Sequence, residues 1–227
     1  LNKGKFTTVA FDYDGTLSAS DHTSRYTKGL CDEIKNALLP LLENGVQIVV
    51  ATGRGKSVGE SFQESIDQKY WPQIKVGYYN GACLLVLGEE DKLKAWKKQP
   101  FDSELKALEE ELKLRLSKGC VPYKFEERSL QLSIEGEMTQ TESQLVYEIC
   151  REIIWDKQMK GIRVWCSSHS MDIVVYREVS KLQVIEDPER TLCIGDYGTV
   201  EGNDYEMLTS KYSLSVDRVS KNAESCW

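Results

Sequence analysis

A short apolar run, VQIVVA at Val46–Ala51, sharply limits the folds that this chain can adopt. It lacks the alternation of apolar and polar residues that a strand with one solvated face shows. It therefore predicts a strand that is covered on both faces in a parallel sheet. Helical spacing of apolar residues precedes the run over Lys28–Glu43, and Asn44-Gly45 is expected to end that helix. Because parallel strands need long crossovers, the run predicts a sheet with helices packed against it.

The alternation of strand and helix covers the beginning of the chain. Phe6–Phe11 is a β-rich run, and a second helix is expected to open directly after Thr52-Gly53-Arg54 and to reach about Lys69. Ile74–Tyr79 is predicted as a third strand that Asn80-Gly81 closes. The order strand, helix, strand, helix, strand predicts an α/β fold with a Rossmann-like parallel sheet as its core.

The pattern then changes to short strand pairs and two long helices. The helices are expected at about Asp102–Ser117 and Thr141–Lys157. The predicted strand pairs are Leu84–Leu87 with Lys94–Lys97, the two halves of Tyr123–Glu135, and Ile162–Cys166 with Met171–Tyr176. We therefore expect the core at residues 1–82 and 180–227, and an inserted α+β cap domain at residues 83–179, with both helices on one face of an antiparallel sheet.

The return to the core leaves little room for a crossover. Only nine residues lie between Lys181 and Thr191, where the next strand is predicted to begin. A parallel crossover ordinarily takes a dozen residues or more. Either this crossover is unusually short or residues are missing near Glu186-Asp187.

Composition excludes several classes of function. The net charge is −7, which argues against a nucleic-acid partner because phosphate backbones require a clustered basic surface. No apolar run approaches the about 20 residues of a membrane span, so no membrane partner is expected. The seven cysteines include no C-x-x-C pair, which argues against a zinc cluster or disulfide scaffold and favours a reducing, cytoplasmic location. Because Leu1 is not an initiator methionine, we expect a trimmed terminus or a longer parent protein.

Two carboxylates directly follow the first predicted strand, in Asp12-Tyr13-Asp14-Gly15. In an open α/β sheet, ligands bind at the carboxyl ends of the strands, so both acids are predicted to lie in the site. Two acids at a strand end suit a hard cation, and one of them can be an oxygen nucleophile. The competing interpretation is a turn with two solvated acids.

Three later segments place further polar groups at strand ends. Thr52-Gly53-Arg54 ends the second strand and is interpreted as an anion site at a helix N-terminus. Lys181 stands where the chain re-enters the core, and Gly195-Asp196 with Gly202-Asn203-Asp204 follows another apolar strand. Convergence of these ends predicts a crevice for Mg²⁺ and phosphate, in which the cation offsets repulsion among the acids.

The order D-x-D-G-T-L, T-G-R, S-K and G-D…G-N-D resembles the haloacid dehalogenase superfamily over nearly the whole chain. The large insert resembles its sugar-phosphate branch, which holds Cof-type, sucrose-phosphate and trehalose-phosphate phosphatases and phosphomannomutase. The resemblance implies a Mg²⁺-dependent phosphatase that acts on a small phosphorylated metabolite, a sugar phosphate above all.

The resemblance also implies a role for each motif residue. Asp12 attacks phosphorus and becomes an aspartyl-phosphate, while Asp14 protonates the leaving oxygen and then activates water. Mg²⁺ is held by Asp12, the Asp14 carbonyl and Asp196. The remaining implied roles are phosphate binding by Thr52, Gly53, Lys181 and Asn203, and support from behind the site by Asp204.

The fourth motif departs from the usual family pattern. Asp196 and Asp204 are eight positions apart, as in the longer phosphomannomutase version, whereas Thr52-Gly53-Arg54 is absent from phosphomannomutases. Two alternatives therefore stay open: a phosphosugar mutase, and a non-catalytic regulatory domain of a larger protein.

The insert is expected to act as a mobile cap with hinges near Asn80-Gly81 and Val179-Ser180. Closure would exclude water from the site. Its polar residues at turns and strand ends would read the substrate, with Glu126, Arg128 and His169 as the candidates. Arg54 of the second motif is a further candidate for substrate contact.

Overall fold

The chain forms two units, which a computed structural model describes over residues 5–18, 29–116, 123–135, 139–166, 170–200 and 202–216. The first unit comprises Leu1–Lys94 and Ser180–Trp227, and the second is Ala95–Val179. No helix among the described residues is both long enough and apolar enough to cross a membrane.

A six-stranded sheet organises the first unit. Its strands are β1 (Thr8–Asp12), β2 (Gln47–Ala51), β3 (Ile74–Tyr78), β4 (Cys83–Val86), β9 (Thr191–Gly195) and β10 (Ser213–Ser215), in the spatial order β10-β9-β1-β2-β3-β4. The pairs are parallel except for β3 with β4. The helices of this unit are α1 (Asp32–Glu43), α2 (Ser57–Ser65) and α6 (Tyr205–Leu208), with 3₁₀ turns at Gln68–Gln73 and Lys181–Val184. Helix α3 (Glu90–Trp96) begins in this unit and ends in the second.

The central strands owe their place to their apolar sequences. Ile48, Val49, Val50 and Ala51 are all buried, as the run without alternation predicts for a strand covered on both faces. Strand β1 lies beside β2 with Asp12 level with Ala51. The first acid of the chain thus stands at the carboxyl end of the most deeply buried part of the sheet.

An antiparallel sheet and two long helices make up the second unit. The strands β5 (Lys124–Arg128), β6 (Gln131–Glu135), β7 (Ile162–Cys166) and β8 (Ser170–Val175) run in the order β5-β6-β8-β7. The helices are α4 (Ser103–Leu116) and α5 (Gln140–Asp156), and leucines of α4 share one apolar cluster with Val146 of α5 and Ile173 of β8. The predicted fold class, a Rossmann-like parallel core with an α+β insert, is confirmed.

The boundary between the units lies later in the chain than predicted. Strand β4, which was expected to open the insert at residue 83, instead pairs antiparallel with β3 and completes the core sheet. The expected strand Lys94–Lys97 is wrong as well, because α3 covers most of it. Acidic residues at the start of α3 favour the helix through its dipole. The return at Ser180 agrees with the prediction.

The crossover from Lys181 to β9 is short. In place of a helix, the structure has the 3₁₀ turn Lys181–Val184, and its N-cap is Ser180, whose hydroxyl accepts a hydrogen bond from the Leu182 amide. A second turn follows, in which the Asp187 carbonyl accepts hydrogen bonds from the Arg190 amide and the Thr191 hydroxyl. These two turns bring the chain back to the sheet within nine residues.

Candidate active site

Three neighbouring strands deliver the candidate residues to one edge of the sheet. Asp12 ends β1 level with Ala51, which directly precedes Thr52. On the other side of β1, Phe11 is level with Ile194, and Asp196 follows two residues later. Because these strands are parallel, their carboxyl ends coincide, which is where open α/β sheets bind ligands.

Lys181 joins the first and fourth motifs through a buried ion triad. Its Nζ donates to Oδ1 of Asp12 at 2.5 Å and to Oδ1 of Asp204 at 2.6 Å. All three side chains are almost completely excluded from solvent. A buried charge needs partners of opposite charge, so the two carboxylates explain why a lysine can be buried at this position.

Asp204 supports the site from behind. While Oδ1 contacts Lys181, its Oδ2 accepts hydrogen bonds from the backbone amides of Asp196 and Tyr197, at 3.1 and 3.0 Å. Oxygens of Asp12, Asp196 and Asp204 lie within 4.8 Å of one another. Both oxygens of Asp204 are engaged, however, so we assign it to orienting Lys181 and the Asp196 backbone. The eight residues between the two acids thus form a loop that returns Asp204 to the backbone of Asp196.

The cluster carries more negative than positive charge. Burial, followed by repulsion from Asp204, raises the pKa of Asp12 well above its usual value even though Lys181 acts in the opposite direction. Burial and the Asp204 charge likewise raise the pKa of Asp196 to about 7. One lysine therefore does not neutralise three acids, and the site favours an additional cation.

The donor set suits Mg²⁺. The Asp12 and Asp196 carboxylates are hard oxygen ligands of the kind that this cation takes. Gly15 fits the same arrangement, because it has a left-handed φ of +86° and a Cβ there would lie 2.2 Å from Oδ2 of Asp196. Only glycine allows the backbone of the first motif to approach the fourth this closely.

Arg54 holds the side chain of Asp14. The Arg54 Nε donates to Oδ2 at 2.9 Å, and Nη2 donates to Oδ1. The guanidinium also lies over the Tyr13 ring, 5.4 Å from its centroid. Arg54 is expected from the sequence to contact the substrate, which stays a prediction; in the structure it contacts the second acid of the first motif.

Thr52 and Gly53 lie in a loop, which corrects the predicted helix N-terminus. Helix α2 begins at Ser57, so Gly55 and Lys56 separate it from the second motif. Thr52 is fully buried, and its Oγ1 accepts a hydrogen bond from the Arg54 amide at 3.0 Å. Its own amide donates to the Gly77 carbonyl at 3.0 Å. The predicted helix N-terminus at this segment is therefore wrong, and anion binding by Thr52 and Gly53 stays a prediction.

The loop at Thr52 and Gly53 is held by a left-handed turn, whose conformation the sequence did not indicate. Tyr79 and Asn80 have φ of +53° and +56°, and both are buried. The Asn80 amide donates to the Thr52 carbonyl at 2.7 Å, and the Tyr79 amide donates to the Arg54 carbonyl at 3.2 Å. The Asn203 side-chain amide lies 3.5 Å from Oδ1 of Asn80. Only Asn80-Gly81 signalled a turn in the sequence, and it was interpreted as a hinge.

The residues expected to read the substrate belong to the second unit of the chain. Glu126 and Arg128 form an ion pair on β5, and Arg128 also donates to the Ser133 hydroxyl at 2.6 Å. Ser133 in turn donates to Asp172 at 2.8 Å, and both are buried. His169 lies outside the described residues. The sequence did not indicate that Ser133 and Asp172 join this polar cluster, although the alternation along β6 places Ser133 opposite the apolar face.

The sequence matches a family model described as haloacid dehalogenase-like hydrolase over residues 9–128. The chain belongs to this family. The match covers the first and second motifs together with their strands, and it ends within the second unit. No curated protein sequence matches the chain.

Solved structures of haloacid dehalogenase-like proteins share this fold. The chain superposes on the Plasmodium falciparum IMP-nucleotidase with a TM-score of 0.68 at 13% identity, covering 93% of this chain and 66% of that one. For the C. albicans trehalose-6-phosphate phosphatase C-terminal domain the TM-score is 0.69 at 16% identity, with 98% and 87% covered. For a haloacid dehalogenase-like hydrolase from B. subtilis it is 0.57 at 16% identity, with 92% and 89% covered. The chain thus spans just under two thirds of the nucleotidase.

The raised pKa of Asp196 predicts a pH-dependent stability of the metal-free protein. Between about pH 4 and 7, folded Asp196 retains a proton that the unfolded chain releases, so the free energy of unfolding falls as the pH rises. We expect Asp196→Asn to flatten this fall and to remove the rise in Tm that Mg²⁺ gives the parent. Thermal unfolding from pH 4 to 8, with and without Mg²⁺, measures both effects. An equal Mg²⁺ response in the variant would contradict the assignment of Asp196.

The left-handed turn predicts that two substitutions at Asn80 differ in their effect on the free energy of unfolding. Glycine accepts φ of +56° without strain and alanine does not, so Asn80→Ala should be less stable than Asn80→Gly by about 1 kcal/mol. Both variants lose the same buried amide, so their difference isolates the backbone. Gln158 in the second unit, with φ of +53°, provides the matched pair Gln158→Ala and Gln158→Gly. Urea unfolding measures all four, and equal stability of the Asn80 pair would show that the turn is unstrained.

Proposed function

We propose that this chain is a Mg²⁺-dependent phosphomonoesterase that acts on a small phosphorylated metabolite, with a sugar phosphate as the substrate class, through an aspartyl-phosphate intermediate. The observation that supports this most strongly is the buried Asp12 carboxylate, fixed by Lys181 at the carboxyl end of β1 and beside Asp196. Membership of the haloacid dehalogenase-like hydrolase family supports the same chemistry.

Asp12 is arranged as a nucleophile. Lys181 holds Oδ1, and among the described residues no hydrogen bond reaches Oδ2, so this second oxygen is the one that we assign to attack on phosphorus. The bond from Oδ2 to phosphorus forms as the bond from phosphorus to the ester oxygen breaks. Bound between Asp12 and Asp196, with the Asp14 carbonyl as a further ligand, Mg²⁺ would supply positive charge to the phosphoryl oxygens.

Asp14 is the proposed proton carrier. It gives its proton to the departing ester oxygen, and afterwards it takes a proton from the water that hydrolyses the aspartyl-phosphate. Thr52, Gly53, Lys181 and Asn203 are the proposed phosphate-binding residues. Lys181 supplies the charge, and the loop containing Thr52 and Gly53 supplies short-range hydrogen-bond donors.

The second unit is proposed as the cap that selects the substrate. Glu126 and Arg128 belong to a polar cluster with Ser133 and Asp172, which suits the recognition of sugar hydroxyls. His169 and the hinge near Val179-Ser180 remain part of this proposal, as does a cytoplasmic location. The expected hinge at Asn80-Gly81 is wrong, because this turn joins β3 to β4 within the core sheet. Because an IMP-nucleotidase shares the fold, a substrate panel needs nucleoside monophosphates beside sugar phosphates.

Loss of the nucleophile is the direct test. We expect Asp12→Asn to lose at least 10³-fold in kcat on p-nitrophenyl phosphate and on the best sugar phosphate, because an amide oxygen cannot form the aspartyl-phosphate. Asp91→Asn is the matched control, since Asp91 is an exposed acid in an ion pair with Lys94 on α3. EDTA should abolish parental activity, and Mg²⁺ should restore it. Parental rates in Asp12→Asn would overturn the proposal.

A phosphosugar mutase is the second candidate, because the long fourth motif returns Asp204 to the site without loss of its contacts. Such an enzyme would hand the phosphoryl group from Asp12 back to a sugar. Incubation with a hexose monophosphate and a hexose bisphosphate activator separates the two activities. Free phosphate as the product supports hydrolysis, and an isomeric sugar phosphate supports the mutase. A flat activity screen with intact Mg²⁺ binding would instead favour a regulatory domain.

A further inference from the structure

We propose that Arg54 is a positioning residue that orients the Asp14 carboxylate toward the ester oxygen, and not a substrate contact. This role rests on the proposed function, in which Asp14 donates the proton that the leaving group needs. The geometry that points to it is a forked ion pair between two side chains 40 residues apart in the chain.

The fork fixes the plane of the carboxylate. Because Nε and Nη2 of Arg54 engage different oxygens of Asp14, rotation of the carboxylate about its last bond would break one of the two hydrogen bonds. A carboxylate has about four lone-pair positions, so two remain for a proton or a water molecule. The ion pair therefore orients Asp14 without filling its capacity to transfer a proton.

Arg54 is itself held in place from several directions. Its guanidinium lies over the buried Tyr13 ring, its amide donates to Thr52 Oγ1, and its carbonyl accepts from the Tyr79 amide. The side chain is only 15% exposed. An arginine that moved to grip a substrate would leave both the Tyr13 ring and the Asp14 carboxylate, so a fixed orienting role agrees better with these contacts.

Leaving groups of different acidity separate orientation from binding. A nitrophenolate departs without a proton, whereas a more basic phenolate needs one from Asp14. The value of kcat/KM reports the steps up to departure of the leaving group, so it is insensitive to the later attack by water. A substrate contact from Arg54 would affect all aryl phosphates alike, because they share the phosphoryl group and the ring.

The experiment measures kcat/KM of the full chain with Mg²⁺ on a series of substituted phenyl phosphates. For Arg54→Met we expect a fall of about 100-fold on phenyl phosphate and of less than about fivefold on p-nitrophenyl phosphate, so the dependence on phenol acidity steepens. Arg54→Lys keeps the charge but loses the fork, and it should recover part of the loss on phenyl phosphate. Arg151→Met, another arginine over a tyrosine ring (Tyr147) but on α5, is the matched control that leaves the series unchanged.

A double-mutant cycle with Asp14→Asn completes the test. If Arg54 acts through Asp14, then Arg54→Met causes no further loss on phenyl phosphate in the Asp14→Asn background. Equal falls across the aryl series, or an additive loss in the double variant, would overturn the positioning role while leaving hydrolysis established. A parental protein that hydrolyses none of the esters would contradict the proposed function and remove this role with it. Far-ultraviolet circular dichroism verifies that each variant is folded.

Discussion

The buried contact of Lys181 with Asp12 and Asp204 determines how the other parts of the site are arranged. Lys181 is 169 positions from Asp12 and 23 positions from Asp204 in the chain. If the strand ends separated, a charge would either become exposed or lose its buried partner. Burial alone would lower the pKa of Lys181, but the two carboxylates outweigh it and raise that pKa above its usual value. Because loss of one partner leaves an uncompensated buried charge, removal of any one of the three side chains would cost about 3–5 kcal/mol.

The triad leaves a charge imbalance that gives the site its chemical character. Burial and the Asp204 charge raise the pKa of Asp196 to about 7, and the Lys181 charge offsets them only in part. The strained Tyr79 and Asn80 lie in the same neighbourhood, against the Thr52 loop. Charge repulsion and backbone strain both lower the stability of this part of the fold, and a bound cation would relieve the first of them.

The elements that sequence patterns predicted are those whose signal is local. The unbroken apolar run of β2 and the acids after β1 indicate a covered sheet and its ligand-binding edge without knowledge of any distant partner. Strand β4 was misplaced because a short apolar segment does not reveal which strand it joins, and the turn before it needs a left-handed tyrosine, which no propensity predicts. The partner of Arg54 was missed for a similar reason, since only the folded sheet brings position 54 beside position 14.

The two sheets place their polar residues by different rules. In the parallel sheet both faces are buried, so polar groups such as Asp12 and Thr52 occur where strands end, and their positions depend on the register of several strands. In the antiparallel sheet, β6 alternates, with Leu132 and Ile134 in the apolar cluster and Ser133 on the opposite face. A substitution at Ser133 therefore leaves the apolar cluster intact, whereas one at Asp12 disturbs a triad that spans the chain. The polar residues of the two units are consequently held in place by different sheets and by different physical rules.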